Sequence, residues 1–309
     1  MLFLRQHLNL IKIIRFYLAF ALVITFVSGT FAQRAGDVAK AEKSLKVLTW
    51  NLHLLPSIVL GKHQVPRAKG IAEVLASSDY DVIVFQEAFH TKARKLIWKL
   101  LSQHYPYQYW PGNGGLTRFS SGVWVISKLE IIREEKIGYS KCSPGTADCR
   151  ARKGALFVQV EKGGMTFQII GTHLQAKGGD KFQLVRNDQL QEVKNLIIDK
   201  YKQPGVPIIV MGDLNIAMAK KADYNKMLTI LDVENGALSG ENQFTSDKST
   251  NDMYPSEEAK AKVIDYVLLN SMGAQLTSVR REVKVFRSDW SKNNKDLSDH
   301  YAVEAEISY

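Results

Sequence analysis

Apolar runs in this chain repeatedly end on groups that titrate or ligate. "LKVLTWN" closes on Asn51, "YDVIVFQE" on Glu87, "MTFQIIGTH" on His173, and "VPIIVMGDLN" on Asp213 and Asn215. "VIDYVLL" carries Asp265, and "LSDHYAV" opens the last run on Asp299 and His300. A strand start favours β-branched and aromatic residues, so an acid beside an imidazole there needs a reason. Glu87, after five apolar residues, must be paired, hydrated or ligating. Asp213 and Asn215 are two apart, which places both on one face of a strand. Asp265 inside an apolar strand demands a partner, and His300 would serve. Alone, Asn51 reads as a turn former and His173 as a satisfied core histidine; the spaced set does not reduce to independent accidents. Carboxylates and amide oxygens are hard ligands, suited to Mg²⁺ or Mn²⁺ rather than zinc. With an imidazole as base, such a cluster suits water attack on a phosphodiester, whose charge and departing oxygen a metal stabilises.

Convergence of these residues needs a scaffold that brings strand ends together. Short apolar runs alternate with helical stretches, among them "RAKGIAEVLASS", the basic "TKARKLIWKLLSQH", a long helix "KFQLVRNDQLQEVKNLIIDKYK" and a helical segment near 222–231. "SSGVWVIS" reads as a strand, "GALFVQVE" and "MTFQIIGTHL" as a hairpin joined by "KGG", and residues near 282–287 as a mixed strand before the terminal one. The alternation argues α/β with largely buried central strands, whose carboxyl ends form a crevice. Strand "KVLTWN", helix, strand "VIVFQE" is echoed by "FQIIGTH", helix, "IIVMGDLN", as one domain of two similar packed sheets would produce.

The first 32 residues stand apart. Arg5, Lys12 and Arg15 precede an apolar stretch that ends in Gly29, Thr30 and Ala32, the layout of a secretory signal cleaved after Ala32. The competing reading is a retained anchor, since the run is just long enough to span a bilayer. No cysteine follows it that could carry a lipid. Residues 33–44 read as a polar tether, leaving 45–309 as one catalytic domain, near the upper size for a single core. The net charge of +10 falls to +7 without the leader, with lysines scattered rather than clustered, so charge does not choose a partner. Cys142 and Cys149, in "KCSPGTADCR", read as a disulfide closing a small loop in an exported chain; a metal clip lacks further ligands nearby.

Taken in order, "TWN", "VFQE", "GTHLQ", "GDLN", "IDYVLL" and "SDHYAV" resemble the motifs of the exonuclease–endonuclease–phosphatase superfamily, the DNase-I-like phosphoesterases. The resemblance runs from Leu45 to Tyr309. Within that group "RKGALFVQV", "GTHLQA", the terminal motif, the leader and the cysteine pair before Lys153 look most like the bacterial secreted neutral sphingomyelinases. The resemblance implies a four-layer α/β sandwich with two central mixed sheets and the site at one edge. It implies Glu87 as the principal Mg²⁺ ligand, with Asn51 beside it and Asp299 completing the metal side; Mn²⁺ or Co²⁺ could substitute. It implies His300 as the group activating water, Asp265 as its orienting partner, and Asp213 and Asn215 holding the water or phosphoryl oxygens. His173 would meet the phosphoryl oxygen or protonate the leaving alkoxide. Sequence leaves the base open between His300 and Asp213.

The implied substrate is sphingomyelin or a related choline phospholipid in a membrane, cleaved to ceramide and phosphocholine, with no stable protein partner. "LHLLPSIVLG" at 52–61 and "YPYQYWPG" at 105–112 are candidate membrane-facing or choline-cradling segments, with ordinary packing as the competing reading. The alternative is a secreted nuclease of the same fold, but basic and aromatic residues do not interleave beside the motif strands. A binding module that has lost its catalytic groups is set against the full complement of groups here. The resemblance also implies a long apolar hairpin before the last strand. "VFRSDWSKNNKDLSDH" is polar instead, with Phe286 and Trp290 as its candidate anchors.

Overall fold

A computed structural model describes residues 43–59, 63–110, 112 and 120–309. Within it Ser44–Tyr309 forms one compact unit. The expected leader and, apart from Lys43 and Ser44, the tether lie outside the described residues.

Two mixed sheets face each other. The first has seven strands in the order β3 (Tyr107–Tyr109), β4 (Trp124–Ser127), β2 (Val82–Ala88), β1 (Ser44–Leu54), β12 (Ala302–Ser308), β11 (Ser278–Lys284) and β9 (Leu238–Ser239). The second has five, in the order β10 (Asp265–Asn270), β8 (Ile208–Asp213), β7 (Met165–His173), β6 (Gly154–Lys162) and β5 (Arg133–Gly138). β1 and β2 are parallel around a helix, Gln64–Ala76, and β7 and β8 are parallel around another that starts at Asp180. The internal echo in the sequence is therefore structural: each sheet holds one such unit at its centre.

Period-two alternation builds three cores from these strands. Val47, Val84, Val158, Ile169, Met211, Val267 and Val303 meet between the sheets. Leu48, Trp50, Ile83 and Phe85 face outward onto Ile71 and Ile97 of helices Gln64–Ala76 and Thr91–Leu101. Phe157, Ile170, Val210 and Leu268 face the other way, onto Leu190, Ile197 and Leu231. The result is the expected four-layer sandwich. The long helix runs from Asp180 to Tyr201 with a π-helical turn at Lys194–Ile198.

Four strands differ from expectation. The sequence pattern does not announce the short edge strands β3 and β9, nor β5, a polar edge strand whose exposed Arg133, Glu134 and Lys136 carry no apolar alternation. The mixed strand expected near 282–287 lies at Ser278–Lys284, because pairing with β12 and not apolarity sets its span.

Arg67 is fully buried and ties the site's backbone together. Its guanidinium donates to the carbonyls of Leu52, His53 and Leu297, joining the end of β1 to the loop that precedes β12. Burial pulls its pKa down to about 10. Arg67→Met is expected to lower stability by about 3–5 kcal/mol in urea unfolding, since three buried carbonyls lose a charged donor. A loss below about 1 kcal/mol would show that the tie is dispensable.

Candidate active site

The same alternation that fills the inter-sheet core delivers the polar residues to its rim. On β7, Phe167 and Ile169 share their side with His173; on β8, Ile209 and Met211 lead to Asp213; on β10, Leu269 and Val267 lead to Asp265. Strand register sets His173 opposite Asp213 and Asp213 opposite Asp265, so three side chains stand abreast. They are 2 %, 2 % and 1 % exposed. From the facing sheet, Asn51 on β1 donates through Nδ2 to Asp213 Oδ2 at 3.1 Å and to Glu87 Oε1 at 3.3 Å. One amide thus bridges the two sheets.

His300 completes the row. β12 begins at Ala302, so Asp299 and His300 lie in the loop before the strand rather than at its first positions. The imidazole Nδ1 is 2.9 Å from Asp265 Oδ2 and 3.2 Å from Oδ1, while Nε2 stands 3.9 Å from Asp213 Oδ2. The backbone is fixed as well: the His300 carbonyl accepts from Trp50 Nε1, and Ser298 Oγ donates to the Asn51 carbonyl. Burial works against a charged imidazole here, but the Asp265 and Asp213 carboxylates outweigh it and raise the His300 pKa well above 6.5. The partner expected for Asp265 is therefore in place.

Three non-glycine residues around the site hold left-handed backbone: His53 (φ 47°), Glu87 (φ 52°) and Asn215 (φ 52°). Such conformations cost on the order of 1 kcal/mol each and persist where the surroundings over-determine them. For Glu87 the kink is what matters. Alternation from Ile83 and Phe85 would send it toward the helices, and instead its carboxylate meets Asn51. Asn215 departs from the shared-face expectation: β8 stops at Asp213, and Asn215 turns back. Its N–H donates to Asp213 Oδ1 at 3.0 Å and its Nδ2 to the Leu174 carbonyl at 3.2 Å.

Beside Glu87 lies Asp299. Glu87 Oε2 and Asp299 Oδ1 are both buried, and neither accepts a hydrogen bond from the described residues. His53 Nδ1 stands 3.5 Å from the first and 3.4 Å from the second. Burial pushes the Glu87 carboxyl up, yet His53, His173 and Lys153 together bring it down to about 2. Two unsatisfied carboxylate oxygens and an acid held ionised form a donor set that fits a hard divalent cation, while Asn51 meets Glu87 through its Nδ2 and gives its Oδ1 to the His53 N–H. The carboxylates of Asp213 and Asp265 with His300 form a second close cluster of ligand atoms, all within 4.8 Å of one another.

Sequence reasoning missed Lys153, Asp148 and His53. Lys153 is buried, and its ammonium donates to His173 Nε2 at 2.9 Å and the Leu174 carbonyl at 2.7 Å, with Asp148 Oδ1 at 2.9 Å. Asp148 sits in the loop closed by the Cys142–Cys149 disulfide, which is formed as expected. The loop thus anchors the lysine that steadies His173. Only the nearness of the cysteine pair to Lys153 hinted at this.

The candidate membrane-facing segments divide. Ile58 is exposed, but Tyr105 is fully buried and Trp110 packs on the helix-side core under the Arg94 guanidinium. Phe286 lies against Trp50, ring centroids 5.0 Å apart, and Trp290 Nε1 donates to the Asp296 carbonyl. Neither serves as a free anchor; both seal the outer core beneath the site loop. Among the described residues no helix is long and apolar enough to cross a membrane.

The chain is similar to known proteins over most of its length. A sphingomyelinase C of Leptospira interrogans is 31% identical over 292 residues, covering 84% of this chain and 51% of its own length. The chain thus spans about half the length of the first curated relatives it matches. A sphingomyelinase C of Listeria ivanovii is 28% identical and covers 92% of each chain. The Staphylococcus aureus beta toxin, solved with bound magnesium ions, superposes with a TM-score of 0.76 at 23% identity, covering 85% of this chain and 99% of that one, which establishes the shared fold. Residues 48–300 match the family model described as Endonuclease/Exonuclease/phosphatase family, and those bounds enclose every residue of the row and its facing carboxylates. On that match over most of its length, the chain belongs to the endonuclease/exonuclease/phosphatase family.

Proposed function

We propose that this protein is an exported, Mg²⁺-dependent phosphodiesterase that hydrolyses sphingomyelin in membranes to ceramide and phosphocholine. The observation that carries the chemistry is the row His173–Asp213–Asp265 with His300 seated on Asp265, facing the Asn51–Glu87–Asp299 side across the sheet junction. The names of its curated relatives carry the substrate. Glu87, Asn51 and Asp299 would hold the cation, which when bound neutralises charge on the phosphoryl group and the departing oxygen.

The remaining roles belong to the chain's own side chains. Asp265 fixes Nδ1 of His300, so Nε2 is the nitrogen presented to water. The 3.9 Å between Nε2 and Asp213 Oδ2 is wider than a hydrogen bond and suits a water gripped from both sides. In its neutral form, reached as pH rises through its raised pKa, His300 takes the proton, and Asp213 orients the attack. Asn215 holds Asp213 in place through its N–H. His173, its Nε2 engaged by Lys153 and beside Asp213, keeps Nδ1 for the phosphoryl oxygen or the leaving alkoxide.

The test is phosphocholine release from sphingomyelin vesicles by the exported protein, with Mg²⁺ or with EDTA. Release that needs Mg²⁺ is expected. Nicking of plasmid DNA without phosphocholine release would move the same site to nucleic acid.

A further inference from the structure

We propose that His53 is a ligand in the metal site, its Nδ1 binding the same divalent cation as Glu87 and Asp299 and tilting the site toward cations that accept nitrogen. The inference rests on the reading of Glu87 as a metal residue and adds to it a group that the strand-end pattern does not supply.

One imidazole nitrogen faces two buried carboxylate oxygens, at 3.5 Å and 3.4 Å, and neither oxygen accepts a hydrogen bond from the described residues. Ligand atoms about 2.1 Å from one cation stand about 3.0 to 3.4 Å apart, so these separations are those of neighbours around an ion. They are long for an N–H···O bond.

The far side of the ring supports the same conclusion. His53 Nε2 lies 3.0 Å from the Tyr254 hydroxyl, and the rings meet edge to face. Fixing the distal nitrogen is how proteins orient a ligating histidine. The segment bearing Tyr254 is itself clasped: Asp252 N–H donates to Asp296 Oδ2, and the N–H groups of Asp296 and Lys295 donate to the two oxygens of Asp252. With Nε2–H donating to Tyr254, the Nδ1 lone pair is left for a cation seated between the two carboxylate oxygens.

The backbone is committed to this placement as well. His53 is left-handed, its N–H donates to Asn51 Oδ1 at 3.0 Å, and its carbonyl is held by buried Arg67. A strained, doubly tethered histidine is an expensive way to fill space. An imidazole among carboxylates raises affinity for Mn²⁺ and Co²⁺ more than for Mg²⁺, which prefers oxygen.

Mn²⁺ is the probe for the test. Pulsed electron paramagnetic resonance on the full chain, at Mn²⁺ concentrations that saturate each protein, reads nitrogen bound to the ion. The comparison is with His53→Asn, because asparagine tolerates left-handed backbone. The expected result is a nitrogen modulation in the wild type that disappears in the variant. A Mn²⁺ dissociation constant about 10- to 100-fold weaker should accompany it, with a smaller change for Mg²⁺. A wild type without nitrogen modulation, or a variant that keeps it unchanged, overturns the assignment of His53. Failure of the wild type to bind Mn²⁺, or binding unaffected by Glu87→Gln, overturns the metal reading beneath it.

Discussion

His300→Ala is expected to lower turnover by about 10³- to 10⁴-fold while leaving metal affinity close to that of the wild type. The measurement is steady-state phosphocholine release, paired with a metal titration. Loss of the imidazole removes the acceptor for water's proton and leaves Asp213 alone beside the attack position. Asp213→Asn provides the discriminating comparison. If Asp213 were the base, its amide variant would lose far more than His300→Ala. With His300 as base, His300→Ala is the more damaging, and Asp265→Asn falls between wild type and it, since the ring remains but loses the anionic partner that orients it.

The same substitution has a stability signature with a definite sign. Asp265 is 1% exposed, and burial already raises its pKa to about 6 with the imidazole opposite it. Without His300 the rise is larger. A folded-state pKa above the unfolded value of about 3.9 means that stability is fully present below that value and is lost as pH rises toward the folded pKa. Between about pH 4 and 6 the wild type and His300→Ala should therefore lose stability in parallel through Asp265. Above about pH 6 the variant goes on losing it through Asp265, whereas the wild type loses it through His300, whose raised pKa gives up its contribution as pH rises beyond 6.5. Denaturant melts across about pH 4 to 8 check it, and a variant whose stability rises over that range would contradict the buried-acid account.

Much of this site was legible in the chain because the physics that fills a core also places its rim. The alternation that buries Ile209 and Met211 continues, unbroken, to Asp213, and the same holds for Val267 and Asp265. A buried acid needs a partner, which made His300 a sound expectation before any coordinates. What could not be read shares one cause: meaning that arises from contacts distant in sequence. His53 has no strand-end signature, since Leu52 and Leu54 beside it are core residues, and its significance comes from Glu87 and Asp299. Lys153 matters only because β6 starts beside the end of β7 and brings it to His173. Asn215 misled for a local reason, a left-handed turn that ends the period of two. Phe286 and Trp290 looked like anchors in a polar segment, yet Trp50 covers one and the loop's own Asp296 carbonyl holds the other.

Glu87→Gln is expected to abolish the response to metal. In the wild type, Mg²⁺ at about 100 times its dissociation constant should stabilise the fold by about 2.7 kcal/mol through mass action. For a domain of this size that is a rise in Tm of roughly 5–10 °C. The glutamine variant keeps shape and the contact with Asn51 but loses the anionic oxygen that no donor among the described residues satisfies. It should show no rise in Tm over the same Mg²⁺ range, and turnover should fall by at least about 10³-fold, since charge on the phosphoryl group then goes uncompensated. Its metal-free stability separates two accounts of the carboxylate. The folded chain holds Glu87 down to about 2, against about 4.3 when unfolded, so its contribution is present above about pH 4 and lost as pH falls through about 2. At pH 7 the metal-free variant should therefore be less stable than the metal-free wild type, and the difference should shrink on acidification. A variant more stable without metal would mean that repulsion among the site's acids outweighs the attraction of His53, His173 and Lys153. An undiminished Mg²⁺ response would mean that the cation sits with Asp213 and Asp265 instead.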